Sequence, residues 1–462
     1  MMDRYAIILA AGKGTRMKSN KYKVLHEVAN KPMVAHALDN VKAAGFNEVI
    51  TIVGFGAEEV EKVLAGQSQF CLQEEQLGTG HAVLQAEDLL ADKAGSTLVI
   101  CGDTPLITQA TLEDLLDVHE AEGAKASILT AKAEDPSGYG RIIRKQDGSV
   151  AKIVEEKDAK PEEKAVKEIN TGTYVFDNQA LFEALHQVGN DNAQGEYYLP
   201  DVIEILRGQG ERISAYQMAD FGESLGVNDR QALAQANQLY YQRNNRYWMD
   251  NGVTILDPQT TKIDAEVSIG QDTIIEGQVN LLGQTRIGKN CHILGNSQIV
   301  DSQIGDEVTV DSSKIESSQV GSHTSIGPMA HLRPQSVLGE YVHIGNFVEI
   351  KNASLGDHTK AGHLTYVGDA DLGSYINLSC GVIFCNYDGY SKHRSQVGDY
   401  SFIGSNANIV APVSLADHSF VAAGSTITED VPKEALAIAR SRQSNKENYW
   451  HKLPISKNKP ES

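Results

Sequence analysis

The sequence predicts a chain of α/β class. It comprises an N-terminal doubly wound, Rossmann-like domain, a linking helix, and a C-terminal left-handed parallel β-helix of hexapeptide repeats. Three observations predict this. Apolar residues recur about every six positions from Ile263 to Ile427. Strand-like and helix-like segments alternate through residues 1–227. A single helical pattern separates the two regions.

The six-residue rhythm is the strongest signal. Ile263, Ile269, Ile275, Leu281, Ile287, Ile293 and Ile299 form one run; Ile326, Leu332, Leu338, Ile344 and Ile350 form a second; Val397, Ile403, Ile409, Leu415, Val421 and Ile427 form a third. Glycine follows several of these residues, as in Ile269-Gly270 and Ile287-Gly288. Five-residue steps occur at 299–304, 310–315, 315–320 and 350–355. Strands alternate every two residues and helices every 3.6, so neither alone has this period. Short strands joined by tight turns, each sending one apolar side chain inward, do. Three units make one coil, so residues 18 apart within a run stack about 4.8 Å apart.

In the first region, Tyr5–Ala11 reads as a strand. Pro32–Ala44, closed by Gly45, reads as a helix with Pro at its start and Gly past its end. Glu48–Val53 is a strand, Gly80–Leu90 a helix, and Leu98–Cys101 a strand ending at Gly102-Asp103-Thr104-Pro105. This order implies a mostly parallel sheet. Residues 228–252 form the linker helix, with Asn228 as its cap, Leu233, Ala236, Tyr240 and Tyr247 at helical intervals, and Gly252 past its end. It reads as a rigid arm or as a last helix packed on the N-terminal domain. The β-helix spans 253–432 and a tail spans 433–462, of which 456–462 reads as disordered.

The chain has 462 residues, and 41 basic against 61 acidic side chains leave a net charge of −20. That balance argues against nonspecific binding to nucleic acid or anionic membrane. Five cysteines, at 71, 101, 291, 380 and 385, show no CxxC spacing. A reducing cytoplasm fits better than a disulfide framework or a zinc site. The apolar run Ala6–Ala11 is short for a signal peptide, and no apolar stretch reaches 18 residues.

Two places carry chemistry. The first strand runs into Leu9-Ala10-Ala11-Gly12-Lys13-Gly14-Thr15-Arg16-Met17. A glycine loop at the C-terminal end of a parallel strand lies where doubly wound sheets bind ligands, and its amides can approach an anion closely. Residues 13–23 hold Lys13, Arg16, Lys18, Lys21 and Lys23 and no acid, which suits a polyphosphate. A solvated basic loop is the plain alternative. Asp103, at a strand end, suits Mg²⁺ held by one or two carboxylates and substrate phosphates; a turn aspartate is the alternative. In the β-helix, Arg333 and Lys351 are 18 apart within an unbroken run, so two cations should stack. Like charges opposite one another are destabilising, and a bound phosphate would reverse that cost. His363 lies about a third of a coil beyond Leu355, with Tyr366 and Asn377 near it in sequence. An imidazole beside an anion site suits a general base. From Phe384 to Val397 the spacing is 13, so seven extra residues should leave the solenoid as a loop carrying Asn386, Tyr387 and Lys392.

The stretch Leu9-Ala-Ala-Gly-Lys-Gly-Thr-Arg-Met17 with Lys23-Val-Leu25 resembles the signature of sugar-1-phosphate nucleotidylyltransferases. Gln76–His81, Gly102-Asp103, Gly138–Arg141, Ile153–Glu156, Asn170–Thr173 and Gly226–Asn228, together with the β-helix, narrow the resemblance. They are similar to the bacterial bifunctional N-acetylglucosamine-1-phosphate uridyltransferase / glucosamine-1-phosphate acetyltransferase family. The resemblance implies Mg²⁺ as cofactor and UTP, acetyl-CoA, glucosamine-1-phosphate and N-acetylglucosamine-1-phosphate as substrates. The product would be UDP-N-acetylglucosamine for cell-wall precursors, made by a cytoplasmic homotrimer. It implies that Leu9, Ala10, Gly12, Gly14, Arg16, Lys23, Gln73, Gly78 and Thr79 bind the nucleotide, with Arg16 and Lys23 catalytic. Gly140, Glu155, Asn170 and Asn228 would hold the amino sugar, and Asp103 and Asn228 the metal. In the second site, His363 would be the general base. Arg333, Lys351, Tyr366, Asn377 and Lys392 would surround the sugar phosphate, and Cys380, Asn386, Tyr387, Ser405, Ala423 and Arg440 would line acetyl-CoA. The alternatives are a single-activity nucleotidylyltransferase, such as an ADP-glucose pyrophosphorylase, with the β-helix as a trimerising scaffold, or a non-enzymatic scaffold with decayed sites.

Two departures from the family pattern stand out. Tyr22 replaces the usual proline before Lys23. The usual Asn-x-Gly-Ala-Gly-Thr-Ile-Thr is here Asn377-Leu-Ser-Cys-Gly-Val-Ile-Phe384, which puts Cys380 where an alanine would face the acetyl group. Reduced or thiol-sensitive acetyl transfer is the expectation.

Overall fold

A computed structural model describes residues 3–457. The chain forms two compact units, dividing between Asn244 and Asn245.

The main sheet of the first unit runs Ile213–Gln217, Ala126–Lys132, Glu168–Asp177, Ser96–Cys101, Arg4–Leu9, Glu48–Val53, Gln69–Leu72. All are parallel except Glu168–Asp177, which is antiparallel to both neighbours. The central strands are near-continuous apolar runs because both faces are covered. Alternation along the pleat sorts their side chains. Ala6, Ile8 and Ala10 join Val34, Leu38 and Val41 in one core. Tyr5, Ile7 and Ala11 join Val83, Leu181 and Val202 in the other.

The first helix is Met33–Ala43, preceded by Pro32 and followed by Gly45 at φ 88°. The expected helix over 80–90 is instead two pieces, Thr79–Leu84 and Glu87–Leu90. The Gln85 side-chain amide donates to the His81 carbonyl at 3.0 Å, competing for the acceptor that a continuing helix would use. The backbone there tightens to three-residue bonds, Gln85 to Ala82 and Ala86 to Val83. The linker helix is Arg230–Asp250, and its cap is Asp229, not Asn228. Asp229 Oδ1 accepts from the amides of Gln231 and Ala232 at 3.0 and 2.9 Å. Within the first unit, Leu233, Ala236, Leu239 and Tyr240 pack with Val28, Met33, Leu106 and Val227. Within the second, Trp248 packs on the solenoid core.

The second unit is the left-handed parallel β-helix. Ile263 pairs with Leu281 and Leu281 with Ile299, 18 residues per coil. Five-residue steps shorten the offset, as at Ile350 with Val367. All seven residues of the first run are buried, each worth about 2 kcal/mol in transfer free energy. The Gly after Ile269 has a steric cause: a Cβ on Gly270 would stand 2.5 Å from the backbone carbon of Gly288 on the next coil. Leu372 pairs with Val397, an offset of 25, so the seven extra residues do leave the coil between Ile383–Cys385 and Ser395–Val397. The ladder continues past Pro432, where the tail was expected to begin, because Leu436–Ala437 pairs with Phe420–Val421. Of the segment read as disordered, 458–462 lies outside the described residues, and Pro454–Lys457 is a 3-10 turn. Among the described residues, all five cysteines are free and no helix is long and apolar enough to cross a membrane.

Two candidate active sites

The first strand, Arg4–Leu9, is flanked by Glu48–Val53 on one side and Ser96–Cys101 on the other. The chain therefore winds out in one direction and then returns to the other side. Crevices at such a switch point, at the carboxyl ends of the strands, are where α/β sheets bind ligands. The glycine loop and Gly102-Asp103 leave the sheet on either side of it, and the Gly102 amide donates to the Leu9 carbonyl at 2.9 Å. A cavity of about 270 Å³ opens there, lined by Leu9, Ala10, Gly12, Lys23, Gln73, Gly78, Thr79 and Asp103, and also by Cys101 and Glu196.

Four residues from three separate segments meet beside this cavity. Lys23 Nζ donates to the Asp103 carboxylate and, at 2.6 Å, to Asn228 Oδ1. Arg16 donates to the same Asn228 oxygen at 2.8 Å. The Val227 amide bonds the Asp103 carbonyl at 2.9 Å and fixes the two segments together. The Asp103 and Asn228 oxygens thus converge on one ammonium, a donor set that fits a cation. Gln73 is buried and its amide donates to the Gly78 carbonyl at 3.2 Å. Thr79 Oγ1 accepts from the Leu199 amide at 3.0 Å, which pins this rim to the segment before the Asp201–Gly208 helix.

Gly140, Glu155 and Asn170 adjoin. A Cβ on Gly140 would stand 3.0 Å from Glu155 Oε1 and 3.4 Å from Asn170 Cβ. Asn170 donates to the Tyr174 hydroxyl at 2.6 Å. Burial, then Asp158 and Asp201, push the Glu155 carboxyl up. Asp201 was not legible as a member of this group, since an acid in the first turn after Pro200 reads as a helix start. Among the loop cations, Lys21 pairs with Glu27 at 2.6 Å.

On the β-helix the cations stack as their spacing demands. Leu332 pairs with Ile350, and the Arg333 amide donates to the Ile350 carbonyl at 2.8 Å. Arg333 also donates to Glu349 at 2.8 Å. Contact with Lys392, then the charge of Arg333, hold Lys351 below the usual lysine range. Arg333, Lys351 and Lys392 therefore share one patch. Asn386 joins it, bonding the Tyr366 hydroxyl at 3.4 Å and the Asp369 carboxylate. Asn377 does not lie with them; it belongs to the other strand column, opposite Lys360 and Phe402.

His363 ends the Lys360–His363 strand and is exposed. Ala361 pairs with Leu378, Leu378 with Ile403, and Ile403 with Val421. Two residues further along each coil, His363, Cys380, Ser405 and Ala423 fall into one column. Hydrogen bonds from Asn406 to the Cys380 carbonyl and from Gly424 to the Ser405 carbonyl, 2.9 and 2.8 Å, hold that register. At about 4.8 Å per coil the column rises roughly 14 Å. Arg440 Cδ lies 3.9 Å from the Cβ position of Gly424 at its end. The excursion is ordered by its own bonds. Asp388 accepts from the amides of Tyr390 and Ser391 and from His393, each at 2.7 Å. Arg394 grips Asp371 and the Asn352 carbonyl. Tyr387 is 60% exposed.

Comparison with known proteins finds matches along nearly the whole chain. The nucleotidyl transferase family matches residues 5–254, the GMPPB C-terminal domain matches 244–361, and the hexapeptide repeat of succinyl-transferase matches 396–429. "Bifunctional protein GlmU" of Lactobacillus delbrueckii subsp. bulgaricus is 59% identical over 98% of this chain and 99% of its own. That of Enterococcus faecalis is 60% identical over 99% and 100%. The chain belongs to the GlmU family. It is a transferase with two activities, uridylyl transfer and glucosamine-1-phosphate acetyl transfer, in the synthesis of UDP-N-acetylglucosamine. The GlmU of Latilactobacillus sakei, 59% identical over 99% of both chains, has the same full-length correspondence.

Proposed function

We propose that the switch-point cavity performs uridylyl transfer and that the β-helix corner performs acetyl transfer, each with its own residues. The observation that carries the first assignment is the convergence of Arg16, Lys23, Asp103 and Asn228. The attacking sugar phosphate is already an anion and needs no base. Positioning and charge neutralisation then supply the catalysis. Gly12 and Gly14 cradle the phosphates, and Arg16 and Lys23 offset the charge that develops on them. Leu9, Ala10, Gln73, Gly78 and Thr79 hold the nucleoside, and Gly140, Glu155, Asn170 and Asn228 hold the amino sugar. Asp103 and Asn228 would hold Mg²⁺. When bound, Mg²⁺ supplies further charge neutralisation at the phosphates.

At the second site, Arg333, Lys351 and Lys392 hold the sugar phosphate, and Tyr366 and Asn377 orient the sugar. His363 takes the proton as the glucosamine amine attacks the thioester, and the coenzyme thiolate leaves. Asn386 and Tyr387 border acetyl-CoA, which runs along Cys380, Ser405 and Ala423 to Arg440. Asn377 lies apart from the cation patch within one chain, which favours a site completed by a neighbouring copy. Met329, Phe347 and Leu364, 59, 53 and 57% exposed, offer an apolar stripe for a homotrimer. Absence of a membrane-crossing helix among the described residues, five free thiols and small soluble substrates suit the cytoplasm. Asp103→Ala should abolish pyrophosphate release from UTP and spare acetyl transfer; His363→Ala should do the reverse. Loss of both activities in either variant contradicts independent sites.

A further inference from the structure

Tyr22 stands where the family pattern has proline. Its backbone lies at φ −60°, ψ 140°, the φ that a pyrrolidine ring imposes. Nothing intrinsic holds a tyrosine there, and the side chain supplies the restraint instead. Tyr22 is only 5% exposed. Its hydroxyl donates to the Ala10 carbonyl at 2.7 Å. Its ring lies under the Gly54-Phe55-Gly56 turn, where a Cβ on Gly56 would stand 3.1 Å from Cδ2. The Ala10 amide donates in turn to the Ile52 carbonyl at 2.9 Å. Burial pushes the phenol up to about 12, so it remains a donor at neutral pH.

Ala10 is where the glycine loop leaves the sheet, and Lys23 follows Tyr22 directly. A single buried hydrogen bond thus closes the loop from end to end, at the root of the lysine that reaches Asp103 and Asn228. We propose that the Tyr22–Ala10 hydrogen bond is the clasp of the phosphate loop, and that Tyr22 is a positioning residue for Lys23 in uridylyl transfer. The phenol does through tertiary contact what proline does through its ring. The inference rests on the assignment of Lys23 to the phosphates.

The Tyr22→Phe variant keeps the ring and its packing and removes only the donor. Tyr22→Pro restores the φ restraint covalently, and no backbone hydrogen bond from the Tyr22 amide is lost among the described residues. Steady-state uridylyl transfer by the full-length protein, with UTP and N-acetylglucosamine-1-phosphate, tests the clasp. A misplacement near 1 Å can cost roughly a hundredfold. A loosened rather than displaced lysine should therefore lower kcat about tenfold in Tyr22→Phe, with the KM for UTP within about twofold. Tyr22→Pro should recover to within about threefold of the parent. Far-UV circular dichroism should match the parent in both. Parental kcat in Tyr22→Phe, or a Tyr22→Pro variant as slow as Tyr22→Phe, overturns the clasp. Lys23→Ala separates the two levels of the argument. If it retains parental turnover, the lysine assignment itself fails; if it is slow while Tyr22→Phe is fast, only the clasp fails.

Discussion

His36 should make the first unit lose stability as pH falls below neutrality. It lies on the Met33–Ala43 helix and is 6% exposed. Its Nε2 bonds the Val28 carbonyl at 2.8 Å, and its ring packs on Tyr240 of the linker helix at 5.1 Å. Burial lowers its pKa from 6.5 to about 4. The Val28 carbonyl and Asp39 act in the opposite direction, and Lys31 and Arg243 reinforce the lowering. Well above pH 6.5 the imidazole is neutral in both folded and unfolded chains and adds no slope. Below that, the unfolded chain takes up a proton while the folded one waits until about pH 4. The folded state should therefore lose about 2 kcal/mol by pH 5 and about 3.4 kcal/mol once both forms are protonated. Asp201 has the opposite sign. Burial, Glu204 and Asp158 raise its carboxyl to about 6, so the folded state gains a proton first and is relatively favoured as pH falls. A His36→Gln comparison cancels Asp201 and every other shared group. Urea unfolding at pH 7, 6 and 5, followed by far-UV circular dichroism, should show the two proteins converging in stability by about 2 kcal/mol between pH 7 and 5. Parallel pH profiles would refute a buried neutral histidine.

Other perturbations address the second unit. Cys380 is the one exposed cysteine among the five. N-ethylmaleimide should therefore block acetyl transfer while Cys380→Ala resists it; equal inactivation of both would sink the placement of Cys380 beside the acetyl group. Arg394→Ala removes the grip on Asp371 and Asn352 that anchors the excursion. It should lower acetyl transfer about tenfold through misplacement of Lys392, with uridylyl transfer unchanged in a pyrophosphate-release assay. Ile350 is fully buried in the solenoid, so Ile350→Ala should cost about 2–5 kcal/mol. Calorimetry should show a lower Tm for the second unit and no change in uridylyl transfer. Arg333→Gln relieves part of the crowding that lowers Lys351. Phosphate should protect the parent more than the variant from lysine acylation, and equal protection would count against a shared anion site.

Much of the β-helix was readable because its rule is local. An inward residue every six positions, followed at several of them by a glycine that a neighbouring coil approaches closely, repeats without reference to distant sequence. The column of His363, Cys380, Ser405 and Ala423 needed more, since its offsets of 17, 25 and 18 depend on where the chain shortens a step or leaves the coil. The break after Leu84 was hidden because Gln85 is a good helix former whose side chain happens to find the His81 carbonyl. The cap went to Asp229 because its neighbour Asn228, equally able to cap, is bonded by Arg16 and Lys23.

The sequence by itself determined the two architectures, the order of the units, the stacking of Arg333 on Lys351 and the length of the excursion. Periodicity and spacing suffice for these, because each follows from hydrogen-bonding geometry repeated over short range. Only the tertiary structure decided that Lys23 meets Asn228 across 205 residues, and that a buried phenol holds Tyr22 at a proline's φ. Such contacts depend on which side chains the sheet's switch point brings together, and no local period encodes them.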